Sequence, residues 1–221
     1  MLQGAIFDID GTLIDSVDVH ARSWAEAFAH FGYDVTEAQA RSQIGKGGDK
    51  LLPTFLDEEA CARDGEAIEA FRSELFKEKY RGGVRPFPEV RALFQALNER
   101  GVRIALASSS KGPDLEYYKD LMQIGDLIDT ASSSEDVENS KPEPDIFQVA
   151  FDRLRPLRPD QTLVFGDSPW DAKAAGKMSL RTIGMLCGGF PEADLTEAGA
   201  IRLYRDPADL LAHLDAVLAL G

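Results

Sequence analysis

Near the start of this 221-residue chain, Ala5-Ile6-Phe7 runs into Asp8-Ile9-Asp10-Gly11-Thr12-Leu13-Ile14. An apolar run thus ends in two acids one residue apart, and a glycine turn follows. Alternate side chains of an extended strand share a face, so Asp8 and Asp10 point the same way while Ile9 points into the packing. The run is short and apolar enough for a fully buried strand of a parallel sheet, where ligands gather beyond the carboxyl ends of the strands. Two carboxylates this close repel each other unless a cation or a proton lies between them, which predicts a magnesium site. Asp-x-Asp-Gly alone also occurs in turns and calcium loops, so the reading depends on partners elsewhere.

Three later segments supply them. Ser108-Ser109-Ser110 closes the apolar run Val102–Ala107, Lys141 stands before Pro142 and Pro144, and Gly166-Asp167-Ser168-Pro169-Trp170-Asp171 closes Thr162–Phe165. Singly, each has a plain structural reading: Ser108 as a helix cap, Lys141 as a solvated charge, Asp167 as a cap of the next helix. Jointly, at successive strand ends, they offer a carboxylate pair, hydroxyls, an ammonium and a second carboxylate pair. That set suits phosphoryl transfer, which needs a nucleophilic carboxylate, a proton donor and acceptor, magnesium, and donors for the equatorial oxygens.

The elements that must position these groups alternate. Strands are predicted at 102–107, 127–131, 162–165, 180–185 and 201–203, with helices at 87–100, 114–124, 146–154, 171–177 and 207–220. Strands separated by helices mean a parallel sheet covered on both faces. Between the first and second strands, residues 16–82 read as an all-helical insert. Val17, His20, Ala21, Trp24, Phe28 and Phe31 recur at helical spacing, and Thr36 and Gln39 can form a capping box. Ile44 to Lys50 is a glycine-rich basic loop, and residues 58–80 read as one long helix marked by Ile68, Phe71 and Leu75. The expected organisation is an α/β core of 1–15 and 83–221 carrying a helical cap of 16–82. Such a cap can close over a substrate and exclude water. The polar stretch 132–140 is expected beside the site.

Composition narrows the partners. The net charge of −14 disfavours nucleic acid and acidic membrane surfaces. No run reaches the roughly 18 apolar residues of a membrane span, and no basic segment precedes the first apolar residues. Cys61 and Cys187 have no spacing for a disulfide framework or a zinc site, so a reducing cytoplasm is expected. A small phosphorylated metabolite is the expected ligand, and a chain with its own movable cap is expected to be a monomer.

Taken together, Asp8-x-Asp10-Gly11-Thr12-Leu13, Ser108, Lys141 and Gly166-Asp167-Ser168-Pro169-Trp170-Asp171 resemble the four motifs of the haloacid dehalogenase-like hydrolases, in the phosphatase and phosphomutase branch with a helical cap. The resemblance implies a Rossmann-like core and a Mg2+-dependent phosphatase of small monoesters, of the sugar phosphate or phosphoglycolate type. By it Asp8 is the nucleophile that forms an aspartyl-phosphate, and Asp10 the general acid and then the base. Asp8, the Asp10 backbone carbonyl and Asp167 hold the metal, with Asp171 supporting indirectly. Ser108, Ser109 and Lys141 bind phosphoryl oxygens, and His20 and Lys46 join the substrate contacts from the cap. The acid at Asp10 argues against dehalogenase and phosphonate-cleaving relatives. A beta-phosphoglucomutase-like mutase is the alternative, because Ser16, His20 and Trp24 resemble the first cap helix of that group. The loop 45–50 offers Lys46 and Lys50 but no arginine to grip a second phosphate, which favours hydrolysis. Arg72 and Lys77 read equally as cleft residues or as a solvated face, and Cys187 as a core filler.

Overall fold

The computed structural model describes residues 1–220. The chain opens with β1 (Gly4–Phe7), every residue of which is buried. A tight turn over Asp8–Leu13 follows, then the two-residue β2 (Ile14–Asp15) and four helices: α1 (Val17–His30), α2 (Glu37–Arg41), α3 (Gly48–Phe55) and α4 (Glu58–Leu75). Thr36 and Gln39 form the predicted capping box of α2, and Asp57 caps α4 by accepting from the Ala60 amide at 2.8 Å. The long helix expected through residue 80 instead opens after Leu75 into a wider π-type turn over Phe76–Tyr80. β3 (Arg85–Pro86) then returns antiparallel to β2, with Ile14 opposite Pro86 and Asp15 opposite Arg85. Sequence reasoning found no strand here, because two residues are too few to display an alternation.

The remaining elements alternate as predicted, except that the strand expected from 127 begins at Thr130 and a further short helix lies between the last two strands. They are α5 (Val90–Glu99), β4 (Arg103–Ala107), α6 (Gly112–Met122), β5 (Thr130–Ser132), α7 (Asp145–Arg153), β6 (Thr162–Gly166), α8 (Pro169–Gly176), β7 (Arg181–Met185), α9 (Glu192–Glu197) and β8 (Ala200–Tyr204). Two short helices, α10 (Pro207–Ala212) and α11 (Leu214–Leu218), replace the single one expected over 207–220. The break falls at His213, whose Nδ1 donates to the Asp209 carbonyl at 2.9 Å while its amide turns to Leu210. α5 starts three residues later than expected, after Glu89 in the left-handed region at φ 64°.

The six-stranded sheet runs β5-β4-β1-β6-β7-β8, with every neighbouring pair parallel. The chain leaves β1 to build one side of the sheet and then crosses to build the other. The ends of β1, β4 and β6 therefore meet at a topological switch point, where sheets of this kind bind ligands. Alternation along the strands feeds two cores. Phe7, Leu106 and Phe165 join α5 and α6 on one face, whereas Ile6, Ala105 and Val164 join α7 and α8 on the other. A third cluster, of Val17, Trp24, Phe28, Leu51, Leu52 and Ile68, lies among the inserted helices. No helix of the described residues is long and apolar enough to cross a membrane.

Phe7 is fully buried beneath the switch point, stacked on Phe165 at 4.3 Å and tilted against Phe94 at 4.9 Å. Phe7→Ala removes both ring contacts and leaves a cavity, so it is expected to lower unfolding free energy by about 3–5 kcal/mol. Urea titration should show a lower midpoint with an unchanged slope.

Candidate active site

Asp8 is the first residue beyond β1 and is almost fully buried. The Lys141 Nζ lies 2.5 Å from its Oδ1 and 2.7 Å from the Asp171 Oδ1, with the lysine side chain wholly enclosed. Thr12 donates to the Asp167 Oδ1 at 3.0 Å and lies 3.4 Å from the Asp8 Oδ2. One carboxylate oxygen from each of Asp8, Asp167 and Asp171 lies within 4.8 Å of the other two. Three buried carboxylates thus cluster about a single ammonium that contacts two of them.

The local sequence explains the placement. Ser168 caps α8, and Asp171 occupies the third position, its Oδ2 accepting from the Ser168 amide at 3.0 Å and hydroxyl at 2.6 Å. That reciprocal box turns the other Asp171 oxygen toward Lys141. Gly11, at φ +83°, and Gly188 press their backbones against the Asp167 carboxylate, where a Cβ on either would overlap it.

Burial pushes the Asp8 carboxyl up and Lys141 pulls it back, leaving it at about 7. Asp167 is driven well above the ordinary range by burial, then by Asp171 and Asp8. For Lys141 burial works against the charge, but Asp171 and Asp8 outweigh it and hold the ammonium protonated. An all-oxygen, cation-deficient donor set of this kind fits a hard divalent ion. The Asp10 carboxylate stands outside the trio.

Asp10 has its own circle. Its Oδ1 accepts from Ser16 Oγ at 2.7 Å and from His20 Nε2 at 2.7 Å, and its Oδ2 from Ser110 Oγ at 3.2 Å. The His20 Nδ1 meets Arg72 Nη2. A guanidinium only donates, so Nδ1 accepts and the ring proton sits on Nε2, facing Asp10. Burial lowers the His20 pKa, Asp10 resists and Arg72 adds to the fall, so the imidazole is neutral at pH 7. Burial pushes Asp10 up, yet His20, the Ser16 hydroxyl and the Arg72 charge more than offset it and bring the carboxyl to about 2.

The other expected residues are distributed as follows. Ser108 is buried, faces the cleft and accepts from the Ser110 amide at 3.0 Å. Ser109 lies 3.4 Å from the Gly45 carbonyl of the cap loop. Lys46 reaches the cleft wall, donating to Gln43 Oε1 at 2.5 Å with its Nζ 4.1 Å above the Trp170 ring. His20, which the resemblance puts at the hinge and the acid–base region as well as among the substrate contacts, has both nitrogens engaged, one by Asp10 and one by Arg72. Arg72 points inward, whereas Lys77 pairs with Glu74 at the surface at 3.0 Å and Lys50 with Asp49 at 3.7 Å. Ser140, in the stretch expected beside the site, accepts from the Gly47 amide at 2.9 Å across the cleft.

The sequence gives the side chains of Thr12 and Ser110 no role of their own, although Thr12 lies in the turn after Asp8 and Ser110 ends the serine run. Cys187 donates to the Gly11 carbonyl at 3.1 Å, and burial and Asp167 push its thiol up, so it is no nucleophile.

A model of the family described as haloacid dehalogenase-like hydrolase matches residues 5–185. The chain belongs to that family. It is 27% identical over 230 residues to a phosphorylated carbohydrates phosphatase of Thermotoga maritima, covering 98% of this chain and all of that protein. It is 30% identical over 227 residues to a phosphoglycolate phosphatase of Yersinia pseudotuberculosis, covering 100% of this chain and 94% of that one. The crystal structure of a hydrolase from Pseudomonas syringae superposes with a TM-score of 0.90 at 28% identity, over 97% of this chain and 99% of that chain.

In this hydrolase the repulsion among the three carboxylates is a stability term. A folded-state pKa raised above the unfolded value means that stability present at low pH is lost as pH rises through the folded pKa. Asp167→Asn keeps the Thr12 contact and removes that charge. In chelator at pH 7.5 the variant should melt several degrees above wild type, about 2–4 °C per kcal/mol, and the gap should narrow toward pH 4. Differential scanning calorimetry reads both.

Proposed function

We propose that this hydrolase is a Mg2+-dependent phosphatase that cleaves a small phosphate monoester through an aspartyl-phosphate on Asp8. The observation that carries the reading is the Asp8 carboxylate at the end of β1, enclosed by Lys141 and two further acids. Two of its relatives bear the names of phosphatases, one for phosphorylated carbohydrates and one for phosphoglycolate.

In the proposed first step an Asp8 oxygen attacks phosphorus as the bond to the ester oxygen breaks, and Asp10 gives its proton to the departing alkoxide. Water then attacks the same phosphorus, Asp10 takes its proton, and the acyl phosphate opens to free Asp8 and inorganic phosphate. With its carboxyl held at about 2, Asp10 rests in the base form; the charge of bound phosphate must raise it for the acid step. Ser108 and Ser109 line the wall where phosphoryl oxygens would sit, and Lys141 neutralises Asp8 against an anionic substrate. Asp8, Asp167 and the Asp10 carbonyl would hold Mg2+, with Asp171 in support, and the ion would supply the positive charge this centre lacks. Residues 16–82 would act as the cap over the core of 1–15 and 83–221, closing the cleft to bulk water.

Against the mutase alternative, Lys46 is bound to Gln43 and Trp170 and Lys50 to Asp49. A second phosphate would have to draw Lys46 from Gln43 and Trp170 and Lys50 from Asp49, and no arginine stands in that loop.

With Mg2+ and a panel of metabolite phosphates, wild type should release inorganic phosphate. Chelator or Asp8→Asn should abolish release, and isomerised hexose phosphate without net release would make the enzyme a mutase. Asp10→Asn keeps the shape but not the proton transfer, so turnover should fall by about 10²–10⁴ while binding to the Asp8→Asn background changes little.

A further inference from the structure

The cleft encloses about 300 Å³ and continues past the phosphoryl centre toward the cap, where its lining takes no part in the steps above. That size suits a small metabolite. Glu69, Arg72 and Phe76 recur at three- and four-residue intervals and so share one inward face of α4 and the turn that follows it. Arg72 is held between Trp24 and Phe76, 5.2 Å from each ring centroid, with its Nε donating to Ser23 Oγ at 3.1 Å. Its Nη1 makes no hydrogen bond to the described residues. Glu69 is half-buried against the Gly48 backbone at the start of α3, and it too has no hydrogen-bond or ion-pair partner among the described residues. Across from them Tyr118 of α6 is 0% exposed, and its hydroxyl is likewise without a partner. A buried hydroxyl left alone costs about 1–3 kcal/mol, so one that lines a cleft is a place for a ligand or a water to bond.

The three groups differ in what they can bond. Glu69 only accepts, Arg72 only donates, and the Tyr118 phenol does both. A hydroxyl-rich leaving group satisfies all three, since each of its hydroxyls can donate to Glu69 and accept from Arg72 or Tyr118. A carboxylate only accepts; it would leave Glu69 unpaired and repelled, and Asp10, Asp114 and Glu69 already act on the Arg72 charge. Resting on the phosphatase reading, we propose that Glu69, Arg72 and Tyr118 form a subsite for the hydroxyls of the leaving group. The substrate class is therefore a phosphorylated sugar or polyol, and not a phosphorylated carboxylic acid.

The test uses the full chain with Mg2+ and compares kcat/KM for hexose, pentose and polyol phosphates with 2-phosphoglycolate and p-nitrophenyl phosphate. The best sugar or polyol phosphate should exceed 2-phosphoglycolate by about tenfold or more. Glu69→Leu should lower the ratio of sugar phosphate to aryl phosphate kcat/KM by about tenfold or more, and Tyr118→Phe by about threefold or more. Circular dichroism checks that both variants fold. A preference for 2-phosphoglycolate, or ratios unmoved in both folded variants, overturns the subsite while leaving the phosphatase reading standing. Should no phosphate turn over, the phosphatase reading falls by itself. Calorimetric binding of the same sugar phosphates to Asp8→Asn then decides the subsite: affinity lost on adding Glu69→Leu supports it, and affinity unchanged overturns it.

Discussion

One ammonium shared between two carboxylates in a dry pocket is the interaction on which the site depends. Lys141 touches Asp8 and Asp171 at hydrogen-bond distances with no solvent exposure of its own. A buried pair of this kind gains little net stability, because desolvation of each ion offsets most of the attraction. Its effect is positional. Lys141 holds the Asp8 carboxylate at the rim of β1, and the Ser168 box aims Asp171 at Lys141, so the cap of α8 and the nucleophile are mechanically linked. The surplus negative charge that remains disfavours the empty fold and favours any state in which a cation or a neutralised substrate is present.

The core was legible in the sequence because its signals are local and repeated. Buried parallel strands appear as short apolar runs, and β1, β4 and β6 run into Asp8, Ser108 and Asp167, polar residues that would be costly to bury without a ligand or a partner. Lys141 stands well beyond the end of β5 and is legible instead from the two prolines that follow it. The links between these residues are not legible. Thr12 bridging Asp167, and Ser110 reaching Asp10, depend on side-chain directions within turns that no periodicity encodes. The π-type turn at Phe76–Tyr80 and the break at His213 are similarly invisible, since helix-forming composition continues through both.

The inserted helices were read as a face and a loop, and the structure gives that face a definite task. By sequence Arg72 suits solvent as well as the cleft; its distance from Asp10 in the chain hides two contacts in series through His20. Because the guanidinium fixes the imidazole tautomer, a residue of α4 sets which proton His20 presents to Asp10. The proton inventory of the core is thus tied to where a helix of the insert stands. His20 illustrates the limit of spacing arguments: its location on the inner edge of α1 follows from periodicity, its nearness to the acid–base region only from the resemblance, and its bond to Arg72 from neither.

The short antiparallel pairing of β2 with β3 fastens the outgoing and returning connections side by side, 70 residues apart in the chain. Ile14 and Asp15 on the way out and Arg85 and Pro86 on the way back thus hold the four inserted helices to the sheet at one crossing. The placing of His20 and Arg72 against Asp10 therefore starts from four residues that belong to neither the large sheet nor the helices.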